Sequence, residues 1–382
     1  HQPILHVKLH HMQRARPQCH QVIARNAHQI HQRGNDGVFA QRTRGIGDRG
    51  ISRRQRIIVF YARKRAGEWW IGFAQLTAMD IEMGPNITFD RFRPAGLKYA
   101  TLVNPNMEFV SANLTGRPTY TGIVYPLSGL LGGASIATPS GGTASRSWTF
   151  NPSSSSNDIP ITYTVAKGGT AATDRAEKFS YGLVTGLTMP FSRSEITMTG
   201  TMIGQIMSIG VGTALMVGTA TSISLIPILS GQVCVYSDAT SGSLGSSRLT
   251  RVMNGELSIT NKYAPLWTVD CSVASFAAHI DVEPQARLRL TVEADAAGLA
   301  HYTNAQAGTT EFLRVEATGT VIEAGTIRYK MTWDLAGKVI EISPFKDEAG
   351  VYAYDITYDI VHDGTWTKAL TCVVINNLTS LA

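Results

Sequence analysis

Charge is what this chain has least of. Asp, Glu, Lys and Arg make up 16% of its 382 residues, against roughly a quarter in ordinary globular proteins. A chain this neutral, and rich in Gly, Ser and Thr, has a large uncharged surface to hide in a sheet-rich core or against other subunits. Between Glu195 and Asp238 there is no charged residue at all. Cysteine is also sparse: Cys19, Cys234, Cys271 and Cys372 stand far apart, without CxxC or Cys/His spacing. That pattern excludes a zinc module and points to reduced, buried thiols in a reducing compartment. The N-terminus is polar and basic and lacks the apolar core of a signal peptide.

Motifs for chemistry are missing too. Gly337-Lys338 is followed by Val339, so no phosphate-binding loop forms there. No GxSxG elbow occurs, and the run Ser153 to Ser156 sits in a loop-like NPSSSSND stretch. Beyond residue 77 the histidines are His279, His301 and His362 alone, and His362-Asp363 reads as a turn before Gly364. Asp355 and Asp359 share one strand face, which fits solvated carboxylates better than a catalytic pair. The expectation is a protein without catalytic, cofactor-binding or metal-ligating residues: not an enzyme.

Residues 206–229 are long enough to cross a bilayer as a helix. Ten of these 24 residues are Gly, Ser, Thr or Pro, however, and Ile223 and Leu225 alternate with Ser222 and Ser224. Strands and a loop covered by neighbouring subunits are the expected reading, with no membrane partner.

The charge that does exist is unevenly placed. Residues 1–77 carry fourteen of the 34 basic residues and three acids, net +11, whereas residues 78–382 are net −5. The first segment also holds seven of ten histidines and shows no sustained apolar period. Either it is not native protein, as translation upstream of a start near Met79 or Met83 or in a shifted frame would produce, or it is a basic disordered arm able to bind phosphate. A metal site at His6, His10 and His11 would need supporting groups that the segment does not offer.

From there on, strand language dominates. Ile159, Ile161, Tyr163 and Val165 alternate with polar neighbours, as do Leu288, Leu290 and Val292; Ile327, Tyr329, Met331 and Trp333; and Tyr352, Tyr354, Ile356, Tyr358 and Ile360. Period two with one apolar face predicts antiparallel strands on a core, and Gly-containing turns suggest a sandwich or barrel. The fold class expected is all-β, a β-sandwich or barrel with one short flanking α-helix near residues 118–131. Two units are expected, 78–235 and 236–382. The second could be a duplicate of the first, because VTGLTMPFS at 184–192 echoes MNGELSITN at 253–261.

The helix comes from GRPTYTGIVYPLSGLLGG at 116–133. Gly122, Pro126 and Gly129 make it too poor to stand alone. It would persist by laying an apolar stripe on the sandwich or on a neighbour. Tyr120, Ile123, Val124, Leu127, Leu130 and Leu131 are therefore the candidate assembly contacts.

The succession RFRPAGLKYATLVNPNMEFVSANLTGRPTYTGIVYPLSGLLGG, SWTFNPS, ITYTVAKGG and YGLVTGLTMPFSRSEITMTGTMIGQ resembles the tail tube (major tail) proteins of long-tailed bacteriophages. Later strands in GTIRYKMTWDLAGKVIEISPFKDEAGVYAYDITYDIVHD are consistent with it, so the resemblance covers roughly residues 86–382. It implies a β-sandwich with a flanking helix, a structural virion protein whose homo-oligomeric rings stack into a tube. Genomic DNA would pass through the lumen without specific binding. Tape measure and terminator proteins would be further partners, and assembly in the host cytoplasm would end in the virion tail. A net negative wall has the right sign for a lumen that must not hold phosphates. The chain departs from the pattern in its unmatched N-terminus and in lacking a separate immunoglobulin-like C-terminal domain. The alternative is a non-catalytic surface or secreted β-sandwich binding module. A β-sandwich hydrolase would need convergent carboxylates, for which the spacing gives no sign.

Overall fold

In the computed structural model several strands run far beyond the usual five or six residues, and two of them organise the sheets. The description covers residues 55–65, 68–152, 159–167, 175–211, 215, 221–270, 273–323 and 326–381, with residues 55–73, 166, 167, 175, 211 and 221 described by backbone alone. Strand β8 (Arg175–Ser192) has 18 residues and β19 (Arg328–Ile342) has 15. Each belongs to two sheets.

The first half of β8 lies in a sheet with β7 (Ile161–Lys167) on one side and β10 (Met207–Val211) on the other. Beyond β7 come β1 (Gln55–Arg65), β2 (Glu68–Leu76) and the two-residue β11 (Thr221–Ser222), the last running parallel to β2. The second half of β8 lies in another sheet. There β9 (Met198–Gly204), β4 (Leu102–Gly116) and β3 (Met79–Phe92) follow on one side. On the other side come β14 (Val252–Thr260), β17 (Gln285–Glu293), β21 (Val351–Ile360) and the second half of β19, with β20 (Lys346–Glu348) also along β21. The first half of β19 enters a third sheet between β18 (Glu311–Val321) and β22 (Leu370–Asn376). That sheet continues through β12 (Val233–Asp238) to β13 (Arg248–Leu249) at one edge, and through β6 (Arg146–Phe150) to β5 (Ser135–Ala137) at the other. A separate hairpin pairs β15 (Tyr263–Leu266) with β16 (Ala278–Asp281). The protein is all-β, as its alternation predicts.

The switch in β8 has a local cause. Its pairing slips at both Ile161/Tyr163 and Val184/Gly186, and bulges bend a strand and sharpen its twist. Between the slips Tyr181 takes φ of 56°, a left-handed conformation rare for a bulky residue. Next to it, a Cβ on Gly182 would lie 2.5 Å from the Ile161 carbonyl oxygen, so the crossing needs glycine.

Most of the alternating runs face inward as expected: Ile161, Tyr163, Val165, Leu288, Leu290, Val292, Tyr329, Met331, Trp333, Tyr354, Ile356 and Tyr358 are buried, whereas Ile159, Ile327 and Ile360 at the ends of the runs are half-buried and Tyr352, at the start of the last, is 76% exposed. The short helix α1 (Val124–Leu131) is also where the sequence puts one, and all eight of its residues are buried. Pro126 is its third residue, in the first turn, where the missing N–H would have had no partner within the helix. A second helix, α2 (Ala296–Ala307), was not expected. Its signals are local: Asp295 accepts a hydrogen bond from the Gly298 N–H, and Gly308 ends it at φ of 64°.

The domain boundaries differ from expectation. Among the described residues paired strands start with Gln55, so β1 and β2 take up the last part of the segment set apart as residues 1–77. The division at 235/236 falls inside β12, and residues 52–382 form one unit. The echoing segments 184–192 and 253–261 are neighbours, with Leu187 opposite Ile259 and Met189 opposite Leu257. All four side chains are buried, so the likeness is that of adjacent strands covering one core. The histidines at 6, 10 and 11, Cys19, Cys271 and the serine run 153–156 lie outside the described residues.

Candidate functional site

The six residues expected to meet a neighbouring subunit lie inside their own chain. Tyr120, Ile123, Val124, Leu127 and Leu130 are 0% exposed and Leu131 is 8% exposed. Helix α1 is wedged between sheets. On one side, the position of a Cβ on Gly129 would be 3.2 Å from Val184 Cγ2 in β8. On the other, the Tyr120 ring lies 5.8 Å from that of Tyr329, and the Asn376 side chain donates to the Tyr120 carbonyl at 2.8 Å. Tyr263 OH donates to the Leu130 carbonyl at 3.0 Å. A helix apolar on all sides is stable only when covered on all sides, and here the chain itself supplies the cover. Such side chains have no area left for a partner. This corrects the role expected of the stripe.

The surface that is left uncovered lies just before it. Strands β3 and β4 pair from Met79–Gly116 out to Phe92–Leu102, but β9 joins them only along residues 110–116. Past that root the two strands continue as a bare ribbon, closed by a turn in which Gly96 has φ of 86° and the Thr101 N–H donates to the Phe92 carbonyl. Residues 87–93 and 95–106 are exposed without exception. Phe89, Phe92, Leu97, Tyr99 and Leu102 are among them, Tyr99 at 77%. An isolated two-stranded hairpin is marginal in water, and contiguous exposed apolar surface of this kind marks an interaction site. Sequence reasoning missed the arm because its alternation is that of any core strand. Its one local signal is the density of Phe, Leu, Tyr and Arg around Pro94-Ala95-Gly96.

Two polar clusters could mimic an active site. One borders a cleft of about 530 Å³ lined by Glu195, Asn254, Glu256, Arg289, Lys346 and Asp355, among others. Asp355 accepts from Thr291 Oγ1 at 2.7 Å, Arg289 at 2.7 Å and Lys346 at 2.9 Å. Burial pushes its carboxyl up, but these donors outweigh burial and hold it down at about 2. Arg287 lies 3.6 Å from Asp359. The two aspartates sequence reasoning weighed as a pair are thus each held by an arginine of β17.

The other cluster is interior. Glu311 accepts from Ser237 at 2.9 Å and Asn304 at 3.1 Å, His301 Nδ1 stands 2.7 Å away, and Tyr358 OH is 3.0 Å from the same ring nitrogen. Burial raises the Glu311 carboxyl, yet the hydrogen bonds, led by that from His301, leave it lowered. Every partner comes from a structural element of the same chain, so the cluster pins α2 against β12, β18 and β21. Asp363 closes a turn by accepting from the Thr365 and Trp366 N–H groups, which accounts for the His362-Asp363 pair. A loop at 143–145 converges its N–H groups on Glu323, an anion cradle already filled by the chain's own carboxylate. Among the described residues no three His, Cys, Asp or Glu side chains come together as metal ligands, and no helix is long and apolar enough to cross a membrane.

No protein-family model and no curated protein matches this chain.

Proposed function

We propose that the chain is a structural subunit that assembles with copies of itself, as a phage tail tube protein building stacked rings around a DNA-conducting lumen. The observation that carries this reading is the bare β3–β4 arm, whose apolar side chains are covered by nothing else in the described residues. Isolated as a monomer, such an arm is a liability that proteins ordinarily avoid; in a closed assembly it is an interface. The low overall charge supports the same reading, and residues 55–382, which include β1 and β2, are net −2, without the basic excess that would hold DNA in a lumen. The resemblance in strand and turn order adds the tube geometry. Tape measure and terminator proteins would meet the ends of that tube.

Negative-stain electron microscopy of the concentrated protein tests this directly. Rings or tubes with a central channel are expected. A monodisperse monomer at high concentration would refute self-assembly, and sheets or compact dimers without a channel would refute the tube.

A further inference from the structure

The cleft beside Asp355 has one face of β14 and β17 as its floor, where side chains two residues apart point the same way. Asn254 and Glu256 stand there on β14, Arg289 and Thr291 on β17, while Leu257 and Leu290 turn into the core. Glu256 lies opposite Pro190 and Arg289, and Asn254 opposite Ser192 and Thr291. The turn after β8, with Ser194, Glu195 and Thr197, walls one side, and Lys346 of β20 stands on the other.

Three of these groups keep bonding capacity that the fold does not use. Asn254 Oδ1 accepts from Thr291 at 2.8 Å, which leaves its amide NH2 group without a partner among the described residues. Arg289 donates one terminal nitrogen to Asp355 at 2.7 Å, and most of its side chain is exposed. Glu256 is exposed and makes no hydrogen bond or ion pair among the described residues. Asp355, by contrast, is satisfied by Thr291, Arg289 and Lys346 and serves to fix the arginine.

The lining selects the class of ligand. The carboxylates of Glu195, Glu256 and Asp355 outnumber the cations Arg289 and Lys346, and both cations are engaged by Asp355, so an anion such as phosphate meets net negative charge. A metal ion finds no three converging ligands among the described residues. An apolar ligand would strip water from Asn254, Glu256 and Arg289 without replacing its hydrogen bonds. A peptide cannot add as a further strand, because β14 and β17 are each paired along both edges. A neutral polyhydroxyl compound meets none of these obstacles, since each hydroxyl both donates and accepts. Asn254 and Glu256 are two residues apart, about 7 Å in extended backbone, and Arg289 lies one strand over, about 5 Å away. Those spans suit hydroxyls on one sugar ring and its neighbour.

We propose that this cleft binds a neutral saccharide: Asn254 donates to and Glu256 accepts from hydroxyls of one ring, and Arg289, held by Asp355, donates to the next. Its volume of about 530 Å³ gives room for a short oligosaccharide. This goes beyond the assembly reading and does not depend on it.

Saturation-transfer NMR of the full chain with maltotriose, cellotriose and chitotriose, followed by titration calorimetry, tests the assignment. At least one of the three is expected to bind at millimolar concentration or below. Glu256→Ala and Asn254→Ala are each expected to weaken it at least about tenfold, the loss of one charge-assisted or well-placed hydrogen bond. Glu341→Ala, an exposed carboxylate of β19 outside the cleft, is expected to leave binding unchanged. Glu256 is exposed, so its variant should keep the wild-type thermal midpoint, and that check separates lost binding from lost folding. No binding of any of the three saccharides would overturn the proposal, as would binding that both cleft variants retain. Inorganic phosphate or a Gly-Ser peptide binding in their place, with loss in Glu256→Ala, would assign the cleft to an anion or a peptide and likewise overturn it. Rings or tubes in the microscope would bear on none of these outcomes, so the two readings fail separately.

Discussion

Helix α1 and the β3–β4 arm lie next to each other in sequence, and both are rich in large apolar side chains, yet they meet opposite fates. The helix is poor by every local measure and is completely enclosed. The arm is good strand sequence and stands bare over its outer half. Local quality therefore does not tell which segment the chain keeps for itself. Enclosure follows from what arrives on each side: β8 and β6 pack against α1, whereas β9 stops at the root of the arm.

The sharpest way to break this comparison is to place one carboxylate in each region. Leu127→Asp puts an unpaired charge at a position with no exposure, and a loss of more than about 4 kcal/mol is expected, enough to prevent folding. Urea denaturation or the soluble yield of the variant measures it. A variant as stable as wild type would mean that α1 does not pack as described.

At the cleft beside β17 and β21 polar contacts should matter as well, though less. Asp355→Asn removes a carboxylate that accepts from Thr291, Arg289 and Lys346, and a loss of about 2 kcal/mol at neutral pH is expected. The sign of its pH dependence follows from its lowered pKa. The carboxyl titrates at about 2 in the fold against an ordinary 3.8. Its stabilisation is therefore complete above the unfolded value and fades as the pH drops from about 4 towards 2. Acid titration followed by circular dichroism should show a shallower loss over that interval in Asp355→Asn than in wild type.

Gly129→Ala asks how tightly α1 is held. Helix propensity alone would favour alanine by up to about 1 kcal/mol. The new Cβ, however, would lie 3.2 Å from Val184 Cγ2 and 3.6 Å from the Val184 nitrogen. A net loss of about 1 kcal/mol is expected from this overpacking, measurable as a lowered thermal midpoint; a gain would show that β8 yields.

The smallest effect on folding belongs to the arm. Phe92→Asp, at a residue 60% exposed, should change unfolding free energy by no more than about 0.5 kcal/mol while weakening assembly in sedimentation velocity. Equal effects of Phe92→Asp and Leu127→Asp on stability would erase the distinction between the two regions.

How much of this was legible beforehand depends on the range of the interaction. The runs around Leu288, Tyr329 and Tyr354 announce themselves, because alternation along one strand is a property of neighbouring residues. The two ends of α2 carry local signals too, Asp295 at the start and Gly308 at the end, but the stronger strand signal covers them. The buried lining of α1 was legible as apolar, and its partner was not: the same stripe would suit a neighbouring subunit or the chain's own sheets.

By itself, the sequence determined the all-β class, the inward faces of the long strands and the place of the short helix, since side-chain period and turn chemistry are local. Only the tertiary structure decided that β8 and β19 each serve two sheets, that residues 55–76 pair into the fold, and that the bare apolar surface is the arm rather than the helix. Those outcomes depend on which strand comes to lie beside which. A strand that gains a neighbour on both edges and a layer on its face is core, and the same pattern without them is surface.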